Sequence, residues 1–105
     1  MYLLIVRLQA RLETVDMLQQ QLSTLVASAR EEPGTLAYSF YRAHDEPNVF
    51  LLHEVYRDQA AWETHMTYEP VRRALATFDT LLAASPDVTR GELVEAHGLA
   101  LAATA

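Results

Sequence analysis

The sequence predicts an α+β fold of the order β-α-β-β-α-β: one four-stranded antiparallel sheet with its helices on a single face. Three observations predict it. Short segments rich in branched and aromatic residues alternate with longer segments of helical periodicity. Turn-forming residues fall between them, as at Pro33-Gly34 and His44-Asp45-Glu46-Pro47. The predicted strands are also apolar on both faces, although the helices of one chain cover only one of them.

Residues 2–10 (YLLIVRLQA) form the first strand. Tyr2, Leu4, Val6, Leu8 and Ala10 share one face and Leu3 and Ile5 the other, where a sheet wet on one side would carry polar residues. Residues 14–31 place Val15, Leu18, Leu22, Leu25 and Ala29 at helical spacing, with Gln19, Gln20 and Ser23 facing away. Thr14 is the expected N-cap, and Pro33-Gly34 stops the helix. Residues 35–43 and 48–57 form a hairpin. In its second strand Phe50, Leu52, Glu54 and Tyr56 share one face, and Val49, Leu51, His53 and Val55 the other. Asp58 caps a short helix containing Trp62 and His65, and Glu69-Pro70 opens another with Val71, Leu75, Phe78 and Leu82 as its stripe. After Pro86 a last strand runs from Val88 to His97. The expected domain covers residues 1–98, followed by an apolar tail at 99–105.

This is the split β-α-β, or ferredoxin-like, order. The economical cover for its open sheet face is a second copy of the chain, giving a two-fold homodimer.

The 105 residues are 50% hydrophobic and 21% charged, a balance that suits one globular domain. Cysteine is absent, and all eight basic residues are arginine. Thiolate nucleophiles, disulfides, iron–sulfur clusters, Schiff-base lysines and P-loop lysines are therefore excluded. Eight basic against fourteen acidic residues give a formal charge of −6, the wrong sign for nucleic acid or an anionic membrane surface. Arg7 interrupts the apolar run Tyr2–Val6 well short of a signal-peptide core or a membrane span, so the cytoplasm is the expected compartment.

Glu54, between Leu52 and Tyr56 on one strand face, is a candidate general base if buried; the alternative is a carboxylate paired with an arginine. His65 is a candidate proton shuttle, with Glu54 as the group that would orient it. His53 is a candidate for substrate contact only if a bulge turns it toward the face of Glu54; otherwise it is a core-edge residue. Tyr38, Tyr56 and Trp62, with Phe40 and Tyr41, gather aromatic surface around the hairpin for a flat ligand. No HxH or HExxH spacing and no GxSxG turn occurs, so neither a metal nor a serine nucleophile is expected.

The run Glu32-Pro33-Gly34-Thr35-Leu36-Ala37-Tyr38, then Asp45 through Tyr56, then Ala60 and His65, resembles the antibiotic biosynthesis monooxygenase (ABM) family. The resemblance extends over residues 2–97 and rests on the ordered set. It implies a dimeric α+β barrel. Family activities include cofactor-independent oxygenation of quinols and anthrone-like polyketides, haem degradation, and isomerisation of a phosphorylated autoinducer. Glu54, Tyr56 and His65 match pocket-side positions of the family. The first strand lacks the early Asn of the haem-degrading members, and Trp62 and His65 are three apart where those members space Trp and His widely; both departures argue against haem. The implied activity is oxidation of a small electron-rich aromatic by O₂ with no cofactor. His65, with Glu54, would act as base while Tyr38 and Tyr56 hold the ring. The alternatives are an isomerase of a small carbonyl compound using the same pair, and a non-catalytic small-molecule-binding dimer.

Overall fold

The computed structural model describes residues 1–98; the tail predicted at 99–105 lies outside the described residues. The elements are β1 (Tyr2–Gln9), α1 (Val15–Ala29), β2 (Thr35–Arg42), β3 (Val49–Tyr56), α2 (Gln59–His65), α3 (Glu69–Leu81) and β4 (Asp87–Glu92). The four strands form one antiparallel sheet in the order β2-β3-β1-β4, the α+β ferredoxin-like architecture that the pattern predicts.

The two-residue repeat decides what each face does. Tyr2, Leu4, Val6 and Leu8 of β1 join Phe50, Leu52 and Tyr56 of β3 in a core closed by Leu18, Leu22 and Leu25 of α1. Register aligns two rows across this helix-covered face: Tyr38–Glu54–Leu4–Arg90 and Phe40–Leu52–Val6–Val88. The opposite face carries the row Ser39–His53–Ile5–Thr89, and there Ile5, Tyr41 and Leu51 are exposed.

Several boundaries differ from expectation, each for a local reason. A 3-10 turn over Leu12–Thr14 precedes α1. Thr14 makes no side-chain cap; its hydroxyl donates to the Leu81 carbonyl at 2.7 Å and ties the start of α1 to the end of α3. The last strand ends at Glu92 rather than at His97. Glu92 is paired with Tyr2, and the Leu93 N–H donates to the Met1 carbonyl just past the ladder. Leu82 falls beyond α3, where the chain turns so that the Ala83 N–H reaches the Gln9 carbonyl at 2.8 Å.

Two predicted signals are present as read. The Asp58 side chain accepts from the Ala61 N–H at 2.8 Å, and Pro70 occupies the first turn of α3, where its missing N–H costs nothing. Gly34 is tightly placed: a Cβ there would lie 2.6 Å from the Cβ of Ala61 on α2.

Candidate active site

Between the helix-covered face and the helices lies a cavity of about 190 Å³. Its walls are almost wholly apolar: Leu4, Val6, Leu8 and Leu52 from the sheet, Leu25 from α1, and Val71, Leu75 and Phe78 from α3. Leu75 and Val88 both line it and are 43% and 49% exposed, which marks the mouth between α3 and β4. Tyr38, Glu54, Trp62 and His65 also line it. A larger surface depression between α1 and α3 is lined by Gln20, Gln21, Thr24 and Thr77 and holds no acid–base group.

Glu54 enters because β3 alternates and because its neighbours in the row are Tyr38 and Leu4. It is 4% exposed, and its Oε1 accepts from the Tyr56 hydroxyl at 2.5 Å. No arginine pairs with it among the described residues. Burial pushes its carboxyl above the ordinary value, while the Tyr56 hydrogen bond and the potential of His65 pull the other way. The Tyr38 and Tyr56 phenols are pushed up, first by burial and then by the nearby Glu54 charge, so both remain neutral donors. Tyr56 itself is fully buried and does not line the cavity. The ring expected to hold substrate instead sits behind Glu54 and fixes that carboxylate.

His65 closes the last turn of α2 and is 3% exposed. Its ring centroid lies 5.7 Å from that of Tyr38 and 5.2 Å from that of Tyr56. Its hydrogen-bond partner is Glu32 rather than Glu54, with Nδ1 2.7 Å from Glu32 Oε1. Glu32 is 5% exposed and accepts from the Thr35 hydroxyl at 2.9 Å and the Ser28 hydroxyl at 3.4 Å. Sequence reasoning missed Glu32. A glutamate beside a Pro-Gly turn reads as a solvated end of a helix, and only the packing of α2 on that turn brings together residues 33 apart. The visible signal was its place at the head of the Pro-Gly run.

His53 lies on the opposite face of the sheet, between Ile5 and Ser39, so it does not reach this cavity. No bulge intervenes there to reverse the alternation; the register shift in the β2–β3 ladder is between Thr35 and Ala37. Trp62 packs on Tyr2 with ring centroids 5.7 Å apart, and the Arg90 guanidinium stacks 5.3 Å from its ring centre. Its Nε1 is buried without a hydrogen-bond partner. Among the described residues no three His, Asp or Glu side chains gather as a metal site requires.

Fold and cavity together define a small α+β protein with a buried acid–base cluster at one end of an apolar slot. The chain belongs to the antibiotic biosynthesis monooxygenase family, whose model matches residues 1–77. It is 33% identical over 72 residues to "Putative monooxygenase YcnE" of Bacillus subtilis, a match covering 69% of this chain and 76% of that one. A 42-residue stretch is 45% identical to the uncharacterized protein sll1783 of Synechocystis, spanning 40% of this chain and only 29% of that relative's length. A solved structure from Deinococcus radiodurans superposes with a TM-score of 0.85 at 26% identity, covering 94% of this chain and 98% of the other. Rv0793 of Mycobacterium tuberculosis shares the fold with a TM-score of 0.86 at 23% identity, over 90% and 96% of the two chains. No helix among the described residues is long and apolar enough to cross a membrane.

Proposed function

We propose that the protein is a cofactor-independent monooxygenase of small electron-rich aromatics, with His65 taking a proton from the bound substrate. The observation that carries this proposal is the cavity, an apolar slot whose polar groups converge at His65, Glu54 and Tyr38. Family membership supports the same reaction class.

An ionised quinol or anthrone reduces O₂ by itself, so the protein has to bind it, take its proton and exclude water. For a hydroquinone the balance closes without an external reductant. Quinol and O₂ give a hydroxyquinone and water, one oxygen atom entering the ring and the other leaving reduced. All four electrons come from the substrate. Size favours this end of the family's range. A cavity of about 150 Å³ holds one benzene ring, so 190 Å³ suits a substituted single ring. A three-ring anthrone would project through the mouth between Leu75 and Val88. Glu54, pushed toward its neutral form by burial, can donate to the developing phenolate.

The test is hydroquinone oxidation by metal-stripped, flavin-free protein under ¹⁸O₂. One labelled oxygen in the product, with turnover lost in His65→Ala, is expected. Complete loss of activity on chelation, or unchanged turnover in His65→Ala, would sink the mechanism. Conversion of a carbonyl substrate without O₂ would move the assignment to isomerisation.

The working unit in this proposal is a homodimer joined through the open sheet face. Exposed Ile5, Tyr41 and Leu51 on that face support it, because apolar residues clustered on a sheet surface favour a partner.

A further inference from the structure

We propose that Glu32 is the positioning residue for His65. Its carboxylate holds the proton on Nδ1, leaves Nε2 bare as the base, and balances the charge the ring acquires when it takes the substrate's proton. The inference rests on the proposed proton transfer to His65.

The geometry is specific. Glu32 accepts a hydroxyl donor at each oxygen, Thr35 at Oε1 and Ser28 at Oε2. An ionised carboxylate is an acceptor only, so the ring nitrogen 2.7 Å from Oε1 must supply the N–H of that bond. In a neutral imidazole with Nδ1 protonated, Nε2 carries the lone pair. Glu54 makes no hydrogen bond to the ring; its Oε1 accepts from the Tyr56 hydroxyl. Both members of the pair are nearly dry, at 3% and 5% exposure, and no arginine makes an ion pair with Glu32 among the described residues. The groups around the ring are otherwise Tyr38 and Tyr56, both neutral donors, and Glu54. Proton transfer therefore breaks a substrate O–H bond, forms N–H at Nε2, and creates an imidazolium whose counter-charge is already in contact. No electron moves in this step.

NMR of free protein labelled with ¹⁵N in its histidine rings reads the tautomer without turnover. His65, assigned from the signals lost in His65→Gln, is expected with Nδ1 protonated and Nε2 bare; the opposite tautomer overturns the proposal. In Glu32→Gln the amide can donate to Nδ1, and the proton is expected to move to Nε2. A second probe is 4-nitrophenol, whose colour reports its ionisation. Wild-type protein should deepen that colour at a pH where the free phenol is mostly neutral, and Glu32→Gln should not. No colour change with wild type would overturn the charge-balancing role. Hydroquinone turnover in Glu32→Gln should fall by about 10²- to 10⁴-fold, in kcat and not in KM. If Glu32→Gln does not fold, Thr35→Val removes one clamp on Oε1 and should give a mixture of tautomers. Lost stability with an unchanged tautomer in either variant would make Glu32 merely structural. The expected tautomer together with no oxidation of hydroquinone would refute the proposed reaction and leave this assignment standing.

Discussion

The Pro33-Gly34 turn meets α2 at one contact, and Gly34→Ala tests how much depends on it. The added Cβ would lie 2.6 Å from the Ala61 Cβ, an atom fixed directly to the backbone that no side-chain rotation can move away. Gly34 is not in the left-handed region, where among the described residues only Gly98 is found, so alanine meets no backbone strain. By itself that exchange would stabilise the fold by about 0.4–1 kcal/mol through the unfolded chain. The clash decides the sign. Overpacking of this kind costs about 1–3 kcal/mol, leaving a net loss of about 1–2 kcal/mol and a fall in Tm of roughly 5–15 °C for a chain of this size. Urea unfolding of a double-mutant cycle with Ala61→Gly isolates the contact. Ala61→Gly alone costs about 1 kcal/mol as a helical glycine, but in its background Gly34→Ala should become neutral or stabilising, a coupling of about 2 kcal/mol. Additivity within about 0.5 kcal/mol would refute the reasoning. The consequence reaches the site, because Gly34 is two residues from Glu32 and α2 carries His65. Relieving the clash by moving either segment must also disturb the 2.7 Å contact between them.

Other changes have equally definite outcomes. The Glu54 carboxyl is raised above 4.5 in the fold by burial, so the unfolded chain loses that proton first as pH climbs. Wild-type stability should therefore decline from about pH 4 through the raised folded value and then level off, while Glu54→Gln lacks this decline. A constant difference between their urea midpoints from about pH 4 to about pH 8 would contradict it. Asp58→Ala removes the cap on the Ala61 N–H and should cost about 1 kcal/mol in thermal unfolding, with Asp58→Asn retaining most of the stability. Leu51→Asp, on the open face, should give a folded monomer in sedimentation experiments; an unchanged mass would exclude that face as the interface.

Much of the fold was legible because it depends on local chemistry. Alternation in β1 and β3, the helical spacing of Leu18, Leu22 and Leu25, the Asp58 cap and Pro70 each follow from neighbours in sequence. Boundaries set by another element were not legible. The extent of β4 is set by its pairing with β1, and the Thr14 hydroxyl turns to Leu81, a partner 67 residues away. The site divides the same way. Glu54 stands out as a charged group between apolar residues on a strand face and His65 as the histidine of the short helix after it, and both line the cavity. Tyr56 and His53 do not line the cavity, the first because sequence does not tell a buried ring from a ligand-facing one, the second because the bulge that its contact required is absent. The burial of Glu32 was not legible, since it is created by the packing of α2 and not by its own neighbours.

The electrostatics of the cluster explain why Glu32 and Glu54 are not redundant. Two carboxylates within one dry site cannot both carry full charge without a cation, and among the described residues the one ring able to supply it is His65. The Glu32 charge raises the cost of ionising Glu54. The Nδ1 contact gives Glu32 the direct claim on the imidazole, while Glu54 has only a phenol donor and is driven toward its neutral form. Equal environments would leave two competing half-bases. Unequal ones would give an anion beside the proposed base and an acid that can donate, the division of labour that the proposed deprotonation of a phenol in an apolar cavity requires.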